Sequence, residues 1–249
     1  MCSTRGRFAR GGANKPHEGP FCTVFHRVGA VVPPPKGDSV TRADIKALDP
    51  ARTVVVATGN AHKVTEIEAI LAPVMPGVRF VALGELGDFP DPVEDGETFF
   101  DNALIKARAA HEATGMAALA DDSGLVVDAL DGRPGVYSAR YAGTHGDDAA
   151  NNAKVLSELE GVPDEQRTGR FVCALAFINE AGDETTVEGT VEGRIGHELR
   201  GSEGFGYDPM FMPEEFGFER SLAEVSQDEK NSISHRGNAL RILRAKLAE

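Results

Sequence analysis

The chain has 249 residues, 41% of them hydrophobic and 26% charged, which excludes a fibrous, collagenous or wholly disordered protein and leaves one or two soluble globular domains. Its 26 Lys and Arg against 39 Asp and Glu give a net charge of −13, which opposes non-specific binding to nucleic acid or a membrane surface, so any phosphate must meet a local site. The longest apolar run, Phe171 to Ile178, falls far short of the roughly 20 residues of a membrane span. The three cysteines, Cys2, Cys22 and Cys173, form no C-x-x-C pair, so neither a disulfide framework nor a zinc knuckle is indicated and a reducing compartment is the natural inference.

Residues 1–50 hold six of the 14 prolines, among them Pro33, Pro34 and Pro35, and show no sustained period. They predict a disordered or mis-started extension. Arg5, Arg7 and Arg10 raise a targeting sequence as the lesser alternative, since the stretch from Thr23 to Val32 is broken by His26 and Arg27 and lacks a clear apolar core. The extension carries a charge of +4 and residues 51–249 carry −17.

From Thr53 the pattern changes. Thr53 to Ala57 is a short β-branched run and Thr58-Gly59-Asn60 a turn; Val64, Ile67, Ile70 and Leu71 then recur at helical spacing up to Pro73, so the unit reads strand, loop, helix. Thr98 with Asp101 resembles a capping box, opening a helix whose face is Phe99, Ala103, Ala107 and Ala110 and whose end is Gly115. Two short strands follow, Ala117 to Ala120 and Leu125 to Ala129, then a helix carrying Val155, Leu156 and Leu159. Arg170 to Ile178 and Glu184 to Val191 read as a hairpin joined through Asn179 to Asp183, and a last helix carries Leu240, Leu243 and Leu247. Crossover strands, a hairpin and flanking helices imply an α/β fold around a mixed sheet.

Several stretches carry chemistry. Thr58-Gly59-Asn60-Ala61-His62-Lys63 lies where a strand hands over to a helix, so free backbone N–H groups, the helix dipole and the Lys63 ammonium can converge on a phosphate; the plain alternative is a capped turn with a solvated lysine. Neither a Walker A loop nor G-x-G-x-x-G is present. Glu94, Asp95 and Glu97, and the turn Asp121-Asp122-Ser123-Gly124 after a predicted strand, supply hard oxygen ligands of the kind Mg²⁺ takes, and a carboxylate that accepts a proton from water. Lys106 on the second helix can point another cation at these acids. Gly204-Phe205-Gly206-Tyr207-Asp208-Pro209 joins a permissive backbone to an aromatic ring and a carboxylate, suited to stacking a base, and Ser234-His235-Arg236-Gly237 before the last helix adds donors. A glycine-rich bend and a helix start account for these two almost as well.

In series, these stretches resemble the inosine triphosphate pyrophosphatases: T-G-N-x-x-K from Thr58 to Lys63, Glu94 to Asn102 leading to Lys106, A-D-D-S-G-L from Ala120, P-G-x-Y-S-A-R-Y from Pro134, F-G-Y-D-P from Phe205 and S-H-R-G from Ser234 follow the family's order. The resemblance covers about residues 53–247 and leaves the first 50 without a counterpart. It implies a two-lobed fold around a long mixed sheet with the site in the cleft, and Mg²⁺-dependent hydrolysis of inosine, deoxyinosine and xanthosine triphosphates to the monophosphate and pyrophosphate by a cytoplasmic homodimer. By matching position, Thr58, Gly59, Asn60, Ala61, His62 and Lys63 bind the triphosphate, Lys106 and Ser123 line the phosphate path, Glu94 and Asp122 hold the metal, and Asp122 accepts the proton. Phe205, Gly206, Tyr207, Asp208, Lys230, His235 and Arg236 hold base and sugar. The alternatives are a pyrophosphatase of pyrimidine or modified nucleotides and, from another class, a non-catalytic nucleotide-binding module.

Overall fold

The β-branched run Thr53–Val56 forms β1, four residues buried on both faces. The structure is a computed structural model that describes residues 48–58 and 61–249, with the backbone alone of Ala61 and His62. Contacts divide the chain into Met1–Asp38 and Ser39–Glu249, and every described residue belongs to the second unit. The expected extension and its targeting alternative lie outside the described residues as far as residue 47. The last three residues assigned to that extension are part of the fold: Leu48 packs partly buried on the core, and Asp49 caps the short 3₁₀ turn Pro50–Arg52.

Helix α1 (Ala61–Leu71) lays Val64, Ile67 and Leu71 on the sheet and leads to β2 (Arg79–Ala82), which pairs parallel with β1. Four residues are too few to show a period, so β2 has no signal in the sequence. Helix α2 (Phe99–Thr114) starts in a complete Thr98–Asp101 capping box and ends at Gly115, left-handed with φ 69°. Then come β3 (Ala117–Val127), α3 (Asp148–Glu158), the hairpin β4 (Thr168–Ile178) and β5 (Glu184–Ile195), β6 (Phe211–Pro213), α4 (Gln227–Ile233) and α5 (His235–Leu247). The sheet order is β2-β1-β3-β4-β5-β6, with β1 parallel to both neighbours and the other pairs antiparallel. Helices α1 and α5 cover one face through Ile67, Leu71, Leu240 and Leu243, while α2 covers the other with Ala103, Ala107 and Ala110. The far half of the long strands carries a further core around Leu125, Phe171, Val191 and Phe211, closed by Val155 of α3 and by Leu159 at its C-cap. The described fold is thus a mixed α/β sheet with flanking helices.

One expectation is corrected. The two short strands around Asp121-Asp122-Ser123-Gly124 are a single eleven-residue strand, and the motif is neither after a strand nor a turn. It pairs in register with β4, Asp121 opposite Leu175, Asp122 opposite Ala174 and Ser123 opposite Cys173. Four polar or small residues hid the alternation, because the polar groups occupy both faces. Gly124 has no room for a side chain: a Cβ there would meet the Ser138 hydroxyl, the Gly135 carbonyl at 2.7 Å and the Phe99 ring at 2.9 Å.

The unequal lengths of β1 and β3 create the opening that matters. β1 pairs only with Ala117 to Leu119, and its last bond runs from the Ala57 N–H to the Leu119 carbonyl. Leu119 faces that edge and so does Leu125, whose N–H donates to Ser138 Oγ. By the same period of two, Asp121 and Ser123 turn their backbone groups to the edge beyond the end of β1.

Candidate active site

Alternation along β3 sends the Asp121 and Asp122 side chains to opposite faces of the sheet, and each face supplies its own cations. On the α1/α5 face, the Lys63 ammonium from the first turn of α1 lies 3.1 Å from both Asp121 oxygens, and the Arg236 guanidinium from the start of α5 lies 3.0 Å from one of them. Arg236 also reaches Glu66 on α1 at 3.5 Å. Asp121 is buried, which by itself raises its pKa, but Arg236 and Lys63 outweigh burial and hold the carboxyl well below the usual range. Ser123 follows on this face, and its hydroxyl oxygen is buried without a hydrogen-bond partner.

On the α2 face, Lys106 donates to Asp122 at 2.8 Å and to Glu94 at 3.2 Å, so one ammonium bridges two carboxylates. Asn102, one helical turn before Lys106, donates to Asp122 at 3.3 Å and accepts the Gly96 N–H at 2.9 Å, which ties the loop carrying Glu94 to the strand. Burial and the neighbouring Glu94 charge together raise the Asp122 pKa against the pull of Lys106 and Asn102, and a partly buried carboxyl with raised proton affinity is suited to general-base work. Burial would lower the Lys106 pKa, but Asp122 and Glu94 more than compensate and the ammonium stays charged. A cleft of about 890 Å³, roofed by the loop from Leu83 to Pro92, opens beside Thr58, Glu94 and Lys106.

A third group is built around the Phe205 loop. The Phe205 ring is 72% exposed, with Lys230 from α4 lying 4.6 Å over its face. Lys230 is ion-paired to the buried Asp208 carboxylate, which also accepts the Phe205 N–H at 2.8 Å. Tyr207 is buried and its hydroxyl donates to the Ser138 carbonyl at 2.8 Å, so it braces this loop from beneath. His235 stacks on Phe171 with centroids 5.2 Å apart; burial and the nearby Arg236 charge push its pKa down to about 3, so the imidazole is neutral at physiological pH.

Of the residues singled out in the sequence, Lys63 and Arg236 come together on Asp121, Lys106 and Glu94 on Asp122, and Lys230 on Asp208 under Phe205. Arg236 therefore contacts the Lys63 group and not the Phe205 loop. Gly59 and Asn60 lie outside the described residues, and so do the side chains of Ala61 and His62. Thr58 donates its N–H to the Val56 carbonyl at 2.7 Å at the turn out of β1. Sequence reasoning quoted Asn102 only as the end of a motif, with no role of its own, and passed over Glu66. Asn102 had a signal, its spacing of four from Lys106 on a capped helix. Helix α4 also had one, the capping box Ser226–Glu229, which the structure completes.

Residues 54–246 match the model of the Ham1 family. The chain is 54% identical over 188 residues to the dITP/XTP pyrophosphatase of Desulforamulus reducens, covering 76% of this chain and 92% of that protein. It is 52% identical to the dITP/XTP pyrophosphatase of Geobacter sulfurreducens, covering 77% and 94%. Among solved structures, the Staphylococcus aureus Ham1 protein superposes with a TM-score of 0.72 at 37% identity over 78% of this chain and 97% of that one. A match that spans the sheet, both carboxylate clusters and the Phe205 loop leaves one assignment: the chain belongs to the Ham1 family.

Proposed function

We propose that this protein is a nucleoside triphosphate pyrophosphatase that hydrolyses inosine, deoxyinosine and xanthosine triphosphates to the monophosphate and pyrophosphate, removing them from the nucleotide pool. Its relatives bear the name dITP/XTP pyrophosphatase. The observation that carries the reading is the placement of two carboxylates on opposite faces of one strand, each with its own cation, beside the edge that β1 leaves uncovered. A polyphosphate lying along that edge would meet Lys63 and Arg236 from one side and Lys106 from the other, with the backbone N–H groups of Asp121 and Ser123 between them.

In this reading Asp122 takes a proton from a water attacking the α-phosphorus. The new bond joins the water oxygen to that phosphorus, the bond to the bridging oxygen breaks, and pyrophosphate leaves with the electron pair. Asp122 then passes its proton to solvent. Lys63, Arg236 and Lys106 hold the phosphates and offset their charge, and because they are fixed before substrate arrives, little reorganisation accompanies the reaction. Phe205 would stack the base, with Asp208, Lys230 and His235 at its edge and at the sugar. Thr58 to Lys63 would cradle the terminal phosphates.

Glu94 and Asp122 fit a divalent cation, since both carboxylates already converge on the one ammonium of Lys106. Among the described residues no group of three or more His, Cys, Asp or Glu could hold a metal, and a cation taking two carboxylates plus phosphate oxygens and water matches Mg²⁺ better than a metal needing a full protein cage. When bound there it would neutralise charge on the phosphate oxygens. Among the described residues no helix is long and apolar enough to cross a membrane, and a cytoplasmic homodimer with no nucleic-acid or membrane partner completes the proposal, with the catalytic domain expected over residues 51–249 extended to Leu48. Pyrophosphate release from deoxyinosine triphosphate against adenosine triphosphate, with and without a chelator, tests it. The reading expects turnover of the first at least 100-fold above the second and its loss on chelation; equal turnover of both, or release that survives chelation, overturns it.

A further inference from the structure

The Phe205 ring stands in solvent, so its position is set less by its own packing than by the backbone on either side. That backbone is held by α3, whose residues belong to none of the motifs above. Gly206 is left-handed, with φ 62°. Its N–H donates to Asp148 Oδ2 at 2.8 Å, and its carbonyl accepts from Asn152 Nδ2 at 2.8 Å. Asp148 and Asn152 are four residues apart at the start of α3 and so share one face of the helix.

Asn152 is 3% exposed. Its second amide hydrogen goes to the Asp148 carbonyl at 2.8 Å, so two carbonyl acceptors fix which end of the amide is nitrogen. The consequence is that Asn152 Oδ1 is buried without a hydrogen-bond partner. An apolar side chain of similar size would avoid that cost but would release the Gly206 carbonyl. The polar residue is thus tied to the loop as well as to the first turn of the helix.

We propose that Asp148 and Asn152 are positioning residues that clamp Gly206 at the two peptide groups flanking its Cα, and so set how tightly the base half of the nucleotide is held while leaving the phosphate half and the chemistry unchanged. The proposal rests on the reading of the Phe205–Asp208 loop as the base platform. Its test uses the full chain with Asn152→Leu, Asp148→Ala and Asp148→Asn, the last keeping an oxygen that accepts the Gly206 N–H. Asp148 is exposed, so its variants fold even if Asn152→Leu does not.

Three quantities are measured: kcat and KM for deoxyinosine triphosphate, inhibition by inorganic tripolyphosphate as a probe of the phosphate half alone, and hydrogen exchange over residues 204–208. In Asn152→Leu and Asp148→Ala the KM rises roughly five- to tenfold, the scale of one lost hydrogen bond. Meanwhile kcat stays within about twofold, tripolyphosphate inhibition is unchanged, residues 204–208 exchange faster, and Asp148→Asn behaves as the parent. Equal weakening of tripolyphosphate, a fall in kcat at constant KM, or unchanged exchange at 204–208 overturns the clamp. A parent protein that turns over no nucleoside triphosphate refutes the functional reading instead, and the exchange measurement still decides the clamp.

Discussion

The opposite orientation of Asp121 and Asp122 separates two properties that adjacent identical residues would ordinarily share. Asp121→Asn keeps the shape but removes, among the described residues, the only carboxylate within 3.5 Å of Lys63 and the nearer of the two that hold Arg236. The side chains involved are 5% exposed for Asp121, 15% for Arg236 and 30% for Lys63. Removing one partner of a buried pair costs about 3–5 kcal/mol, and the partial exposure of Lys63 places this case at the low end, about 3 kcal/mol. At 2–4 °C per kcal/mol for a domain of this size, the melting temperature should fall by about 6–12 °C. Because the Asp121 pKa is lowered in the folded state, its stabilisation is present in full above the unfolded carboxylate value and is lost as pH falls through the folded one. The gap between parent and variant should therefore persist from pH 7 to 5 and narrow below about 4.

Asp122→Asn has the reverse profile. Lys106 keeps Glu94 as its partner, and a carboxyl that burial disfavours is replaced by a neutral amide, so stability should change by less than about 1 kcal/mol. The rate should fall by roughly 10² to 10⁴ with the loss of the proton acceptor. Calorimetry and pyrophosphate release on the two variants decide the matter. A stable, active Asp121→Asn beside an unfolded Asp122→Asn would refute the assignment of the two carboxylates.

Further predictions concern packing, titration and the chain's start. Gly124→Ala should lower stability by about 1–3 kcal/mol, because its methyl group meets the fixed Gly135 carbonyl; an unchanged melting temperature would contradict the close approach. His235 is neutral when folded and takes up a proton when unfolded, so between its unfolded value near 6.5 and its folded value of about 3 stability falls as pH falls, by up to about 1.4 kcal/mol per pH unit. His235→Phe keeps a ring against Phe171 and should flatten the melting curve between pH 6 and 4; parallel curves for variant and parent would exclude this origin. Deleting Met1–Asp38 should leave melting temperature and turnover unchanged, whereas starting at Ala51 removes Leu48 and the Asp49 cap and should cost about 1 kcal/mol. Identical melting of the two truncations would show that Leu48 and Asp49 contribute nothing.

Local chemistry was legible in the sequence wherever one short segment contained its own cause. The Thr98–Asp101 capping box, the Gly115 terminus, the β4–β5 hairpin and the leucine face of α5 each follow from neighbours a few residues apart, and the ordered series of motifs identified the family. The strand β2 escaped because its four residues are specified by pairing with β1, a partner 26 residues upstream. The motif Asp121-Asp122-Ser123-Gly124 reads as a turn because a polar strand buried on both faces has no pattern of its own; only Lys63 and Arg236 on one side and Lys106 on the other make that burial tolerable. The same dependence governs Arg236, which the sequence sets beside His235 but the start of α5 turns toward Asp121, 115 residues away. Residue type and local spacing determined which groups are present, whereas which carboxylate meets which cation was decided by the parity of one strand and by the helices packed on its two faces.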